Sequence, residues 1–161
     1  MSKYNITENK QQRPAAYRTT VSPEVMDELQ RKVIQKIVVE KCYSDKNYSA
    51  RQLAQDLGTN TRYISAVVNN RFHKNYTELV NGYRVEEAMS LMVDRRYQKT
   101  NIEDISAMVG FSNRQSFYAA FYRFVGKTPR QYRVEELEKR AIDTTPKKRG
   151  RKPKNRQEGN A

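Results

Sequence analysis

Ile105-Ser-Ala-Met-Val-Gly110-Phe-Ser-Asn113-Arg-Gln-Ser-Phe117-Tyr-Ala-Ala-Phe121-Tyr-Arg-Phe124-Val-Gly126 is the stretch that decides the fold. Ile105 and Met108 repeat at helical spacing, and Gly110 stops them. Thr100 with Glu103 three residues later is a capping-box pattern that opens this short helix. Asn113 then caps a second helix, whose Phe117, Ala120, Phe121 and Phe124 predict one apolar face before Gly126. A glycine and a short turn between two helices make a tight corner. Glycine enters the left-handed conformation without a Cβ clash, and small or apolar residues let the helices cross closely.

The same pattern occurs once more, upstream. Ser49 with Gln52 is a capping-box pattern, Leu53, Ala54 and Leu57 precede Gly58, and a helix from Thr61 to about Asn70 carries Ile64, Val67 and Val68. Between the two units, Leu79, Val80, Tyr83, Ala88, Leu91 and Met92 predict a long helix over about 76–94. Ser22-Pro23 is a cap followed by proline at the first helical position, and Met26, Leu29, Val33 and Ile37 carry that helix to about Cys42. Thr128-Pro129 repeats this start for a last helix to about Arg140. No segment reads as a strand. The fold class is therefore all-α: seven helices over residues 22–140, with helix-turn-helix units at about 49–70 and 101–125 joined by a long linker helix. An ordinary helical bundle with two short corners fits the same string. Duplication of the corner on a basic chain favours the paired helix-turn-helix.

The 161 residues hold 31 Lys+Arg against 18 Asp+Glu, a net charge of +13. Residues 1–20 carry +3, residues 21–146 carry +4, and residues 147–161 carry +6 from seven basic and one acidic side chain. Such a surplus points to nucleic acid, with an anionic membrane surface as the weaker alternative. No apolar run suits a membrane span or a signal peptide, so the chain is expected to be soluble, intracellular and without a membrane partner. One cysteine, Cys42, and one histidine, His73, allow neither a disulfide nor a Cys/His metal cluster. Cys42 ends an amphipathic helix and His73 follows Phe72, so both read as plain structural or loop residues. The glycines are scattered and build no phosphate loop. No catalytic residue, metal or cofactor is expected, and no enzymatic role. Residues 1–21 and 141–161 are too polar to offset their ordering entropy and are expected to be a disordered arm and a disordered basic tail.

Ile105-Ser-Ala-Met-Val-Gly110-Phe111, Ser116-Phe117, Phe121 and Gly126-Lys-Thr128-Pro129-Arg-Gln-Tyr132-Arg133 together resemble the second-motif signature of AraC/XylS-type transcription regulators. Leu53-Ala54-Gln-Asp-Leu57-Gly58 followed by Tyr63-Ile64-Ser65 resembles the first motif, and the likeness covers about residues 24–135. The resemblance implies a bacterial, cytoplasmic, nucleoid-associated regulator of transcription. Its two recognition helices would enter successive major grooves of double-stranded DNA. A single chain with two readers needs no twofold partner, so a monomer on DNA is expected. About 23 residues precede the first helix, too few for the ligand-sensing domain many members carry, so no small-molecule effector is expected. RNA polymerase is the partner of the family's commoner, activating mode.

Inward Ile64, Val67 and Val68 leave Thr61, Arg62, Ser65 and Ala66 as base-reading candidates on the first recognition helix. Arg62 and Ser65 match family positions that reach bases, and arginine suits guanine O6 and N7. On the second helix the candidates are Asn113, Arg114, Gln115, Tyr118 and Ala119. Gln115 suits adenine, and Arg114 suits guanine or a phosphate. Phosphate contact or a solvated face is the alternative for each polar one. Family members often carry arginine where this chain has Ala66 and Ala119. Either thymine methyls are read there, or intrinsic affinity is low and something else adds to it. Phosphate contacts are expected from Lys127, Thr128 and Arg130 at the last helix start, where free N–H groups favour an anion, and more weakly from Arg71 and Lys74. Phe111, Phe117, Phe121, Phe124 and Tyr132 are expected in the core.

Within the tail, Pro146-Lys-Lys-Arg149-Gly150-Arg151-Lys152-Pro153-Lys154 resembles an AT-hook, whose Arg-Gly-Arg core lies in an A·T-rich minor groove. Lys152 interrupts the match, and a nonspecific phosphate-binding tail fits equally well. The expected function is a sequence-specific transcription regulator. The alternative is an architectural, nucleoid-type protein that binds A·T-rich DNA with little base readout.

Overall fold

The computed structural model describes residues 21–144. Among these residues there are seven α-helices and no strand: α1 (Pro23–Ile34), α2 (Ala50–Asp56), α3 (Thr61–Phe72), α4 (Tyr76–Val93), α5 (Ile102–Met108), α6 (Arg114–Val125) and α7 (Pro129–Asp143). Each begins at a side-chain cap, from Ser22, Ser49, Asn60, Asn75, Asn101, Asn113 and Thr128 in turn. These caps satisfy N–H groups that the first helical turn cannot pair, each contributing about 1 kcal/mol. None of the helices is long and apolar enough to cross a membrane.

Several boundaries differ from the sequence expectation. The cap of α5 is Asn101, whose Oδ1 accepts the Asp104 N–H at 2.7 Å, while the Thr100 carbonyl accepts from the Arg133 guanidinium at 2.7 Å. Ser49 makes only half a capping box: its hydroxyl accepts the Gln52 N–H, but the Gln52 amide turns down the helix to Asp56. Reciprocal boxes form instead at Asn75 with Glu78 and at Thr128 with Gln131. The first helix does not run on to Cys42 as an α-helix. It widens into a π turn over Gln35–Val39, reverses at Lys41 with φ 53°, and closes a 3-10 turn at Cys42–Ser44. Val21 packs on the core rather than belonging to the arm, and α7 continues past Arg140 to Asp143.

The apolar side chains form two clusters. The first joins Met26, Leu29, Val33 and Ile37 to Leu53, Ile64, Val67, Val68, Leu79 and Val80. The second joins Val85, Ala88 and Met92 to Ile105, Val109, Phe111, Phe117 and Phe121. Burying each large side chain contributes about 1.5–3 kcal/mol. Helix α4 serves both, Leu79 and Val80 in the first and Val85 onward in the second. A run of edge-to-face rings links Phe111, Phe117, Phe121 and Tyr132 at centroid distances of 5.1, 5.6 and 5.6 Å. Tyr132 is half-buried at its end. Phe124 departs from the expected core: it is 41% exposed, because the last turn of α6 runs past the second cluster onto the flank of α4. There its ring covers Gly82 and carries the Lys74 ammonium 5.8 Å from its centroid.

Candidate nucleic-acid interface

Each unit presents the N-terminal turns of its second helix. In the first, Asn60 Oδ1 accepts the Tyr63 N–H at 3.0 Å and so fixes where α3 starts. Thr61 and Arg62 follow it exposed, with Ser65 half-exposed one turn on. Arg62 has no hydrogen bond or ion pair to any described residue, so its guanidinium is free for an external acceptor. The Ser65 carbonyl is engaged by Asn69 Nδ2 at 2.8 Å.

Ala66 corrects the sequence reading. It is 1% exposed and belongs to the first core cluster. Helix α3 packs against α1, α2 and α4 together, so its buried arc is wider than the Ile64–Val67–Val68 stripe suggested. A base cannot reach the Ala66 methyl.

In the second unit Asn113 Oδ1 accepts the Ser116 N–H at 2.8 Å, so this candidate reader is also the cap of α6. Arg114, Gln115 and Ala119 are exposed, and Tyr118 is half-buried edge-on to Phe117. The Arg114 guanidinium lies 4.9 Å from the Tyr118 ring centroid, with its Nε 3.5 Å from a Glu103 carboxylate oxygen. Both groups are exposed, and such pairs contribute about 0–1 kcal/mol. Arg114 is therefore oriented yet releasable. Arg114, Tyr118, Thr128 and Arg130 come together around one open cleft of about 520 Å³. Ala119 lies apart from it, in a groove between α4 and α6.

The expected phosphate ligands divide by what already holds them. Arg130 is exposed and unpaired, beside the α7 start, where Pro129 lacks an N–H and the Gln131 N–H is taken by the cap. Lys127 is ion-paired with Glu135. The Thr128 hydroxyl is committed to Gln131, as acceptor and donor. Arg71 ties α3 to Asp27 of α1 at 2.5 Å, and its half-buried side chain leaves Nε unpartnered. Lys74 sits over Phe124.

Two groups near this face leave little signal in the sequence patterns. Tyr122 is 61% exposed on α6, and Arg123 beside it pairs with Glu78 at 2.7 Å. The Asn75 backbone N–H, aided by Arg123, holds the Glu78 carboxyl below the usual carboxylate range. An alternation of aromatic and basic residues on the polar face of α6 is the only trace they leave. Arg149, Gly150, Arg151 and Lys152 of the basic tail lie outside the described residues.

Two capped corners, each displaying polar side chains on its second helix, define a double-stranded DNA-binding protein of the helix-turn-helix class. The chain belongs to the AraC-type helix-turn-helix family: a family model described as "Helix-turn-helix domain" matches residues 53–135, just over half the chain. None of the curated proteins compared with it matches. Among solved structures it is similar to a protein of unknown function from Listeria innocua, at 24% identity and TM-score 0.59, over 66% of this chain and 95% of that one. It is also similar to the C-terminal domain of the two-component response regulator yesN from Fusobacterium nucleatum, at 25% identity and TM-score 0.53, over 65% and 97%. A third is the C-terminal domain of AraT, a response regulator from Geobacillus stearothermophilus, at 24% identity and TM-score 0.56, over 71% and 86%.

Proposed function

We propose that this DNA-binding transcription regulator reads two successive major grooves on one face of a duplex, with α3 and α6 as its two readers. The observation that carries the reading is the pairing of two exposed reader turns, one opened by Asn60 and one by Asn113, on either side of a single linker helix. The 18 residues of α4 span about 27 Å, comparable with the ~34 Å repeat of the duplex. In this reading Arg62 takes guanine, Gln115 takes adenine, and Arg114 takes guanine or a phosphate. Arg130 holds a backbone phosphate. Ala119 offers only a methyl, suited to thymine. Residues 146–154 add minor-groove or phosphate attraction, raising the local concentration of the readers on DNA. One chain carries both readers and binds as a monomer, with RNA polymerase as its protein partner. Two of the similar structures are C-terminal domains of response regulators, which accords with control of transcription.

Competition binding at physiological salt tests this. A selected site should outcompete random DNA by about 10³ or more, as sequence-specific proteins do. The short Ala119 side chain favours the second reading, an architectural protein with little base readout. A ratio below about ten would establish that one instead.

A further inference from the structure

Arg84 sits in the middle of α4, where the two core clusters meet. Its Nε donates to the Tyr43 carbonyl at 2.7 Å, its Nη2 to the Asp45 carbonyl at 3.1 Å, and its Nη1 to Asn81 Oδ1 at 3.3 Å. The same guanidinium lies 5.7 Å from the Phe111 ring centroid. One side chain thus touches the loop before α2, the linker helix and the residue that follows the second unit's glycine. Gly110 closes the joint. A Cβ there would come within 2.3 Å of the Tyr43 carbonyl oxygen and 2.9 Å of Arg84 Nε. Tyr43 is held in turn, its hydroxyl donating to Glu87 at 2.5 Å and its ring stacked on Tyr83 at 6.0 Å. A planar guanidinium with its donors on assigned acceptors is geometrically exacting in a way a lysine is not.

Two residues away, about 200° round the helix, the opposite side of α4 is looser. Gly82 meets only the edge of the Phe124 ring, beside an open cleft of about 540 Å³. On the Arg84 side, by contrast, the loop before α2 and the second unit's glycine are in close contact.

We infer that Arg84 is a positioning residue for DNA recognition: its clamp sets the separation and phase of α3 and α6, and with them the half-site spacing the protein accepts. The inference rests on the two-groove reading proposed above. One inserted base pair turns the second half-site by about 34° and moves it about 3.4 Å. A joint that cannot follow loses one of the two readers.

The test uses the full chain and a site selected from random DNA, with base pairs inserted or removed between its halves. Wild-type binding should fall about tenfold or more for one base pair, because the second reader is lost with its effective concentration. R84M should fall less than about threefold across the same series, with unchanged affinity for DNA carrying one half-site. R84K, which keeps one donor, should lie between. An R84M profile as steep as wild type overturns the inference, whatever happens to overall affinity. Should circular dichroism show R84M unfolded, R84K decides alone, and a wild-type profile from it is equally fatal. Indifference of the wild type to spacing would instead refute the two-groove reading itself.

Discussion

Gly58 and Gly110 hold the same place in the two units, both with positive φ, at +64° and +104°. Nothing lies within 4 Å of where a Cβ on Gly58 would sit, whereas one on Gly110 would drive into the Tyr43 carbonyl. The cores differ in the same direction. Aliphatic side chains dominate the buried part of the first, where Tyr43 is the one buried ring, and a chain of aromatic rings runs through the second. The proposed readers differ too, Arg62 standing free and Arg114 laid on Tyr118 beside Glu103. One motif has thus been built as a free corner whose glycine answers only to backbone conformation. Its duplicate is a braced corner, whose glycine also answers to its neighbour.

That contrast can be broken most directly at the glycines. Gly58→Ala should cost about 1–2 kcal/mol, the left-handed penalty alone. Gly110→Ala should cost that and about 1–3 kcal/mol more for overpacking. Urea unfolding of the two variants measures both, and equal losses would show that the second corner is not braced.

Next in size is the effect at the readers. Arg62→Ala should weaken binding to the selected site by about 1–3 kcal/mol and relax preference at a single base position. Competition against single-base variants of the site measures this. A uniform loss across all variants would move Arg62 from base reader to phosphate ligand.

The smallest effect is electrostatic. Arg130→Ala should reduce the slope of log affinity against log salt by about one, as one phosphate contact is lost. Lys127→Ala should change it less, since Lys127 is already paired with Glu135. Salt titrations of the two variants side by side give the answer, and a larger change for Lys127 would reverse their roles.

Both corners were legible in the sequence because glycines, caps and apolar spacing are local signals. The helix order follows from them. What escaped depends on what a residue meets across the fold. Ala66 is buried because α3 is wedged between three helices, which no periodicity of α3 itself records. Phe124 keeps the core spacing of α6 but outruns the core it was meant to fill. Thr100 and Asn101 both suit an N-cap, and the choice was made by Arg133, 33 residues away, taking the Thr100 carbonyl. No local pattern singles out Arg84 in the sequence. Its acceptors lie 41 and 39 residues upstream. For the candidate readers, the sequence pattern places them on α3 and α6. Which are free and which already held is a property of side-chain pairing.

The division of the core within α4 has a consequence for how the domain opens. Leu79 and Val80 are sealed by one set of partners and Val85, Ala88 and Met92 by another, with a single turn between. Loss of the aromatic end would uncover the second half of that helix and leave Leu79 and Val80 with their own partners. Hydrogen exchange along α4 should then show two levels of protection, one for each half, meeting at the Arg84 clamp.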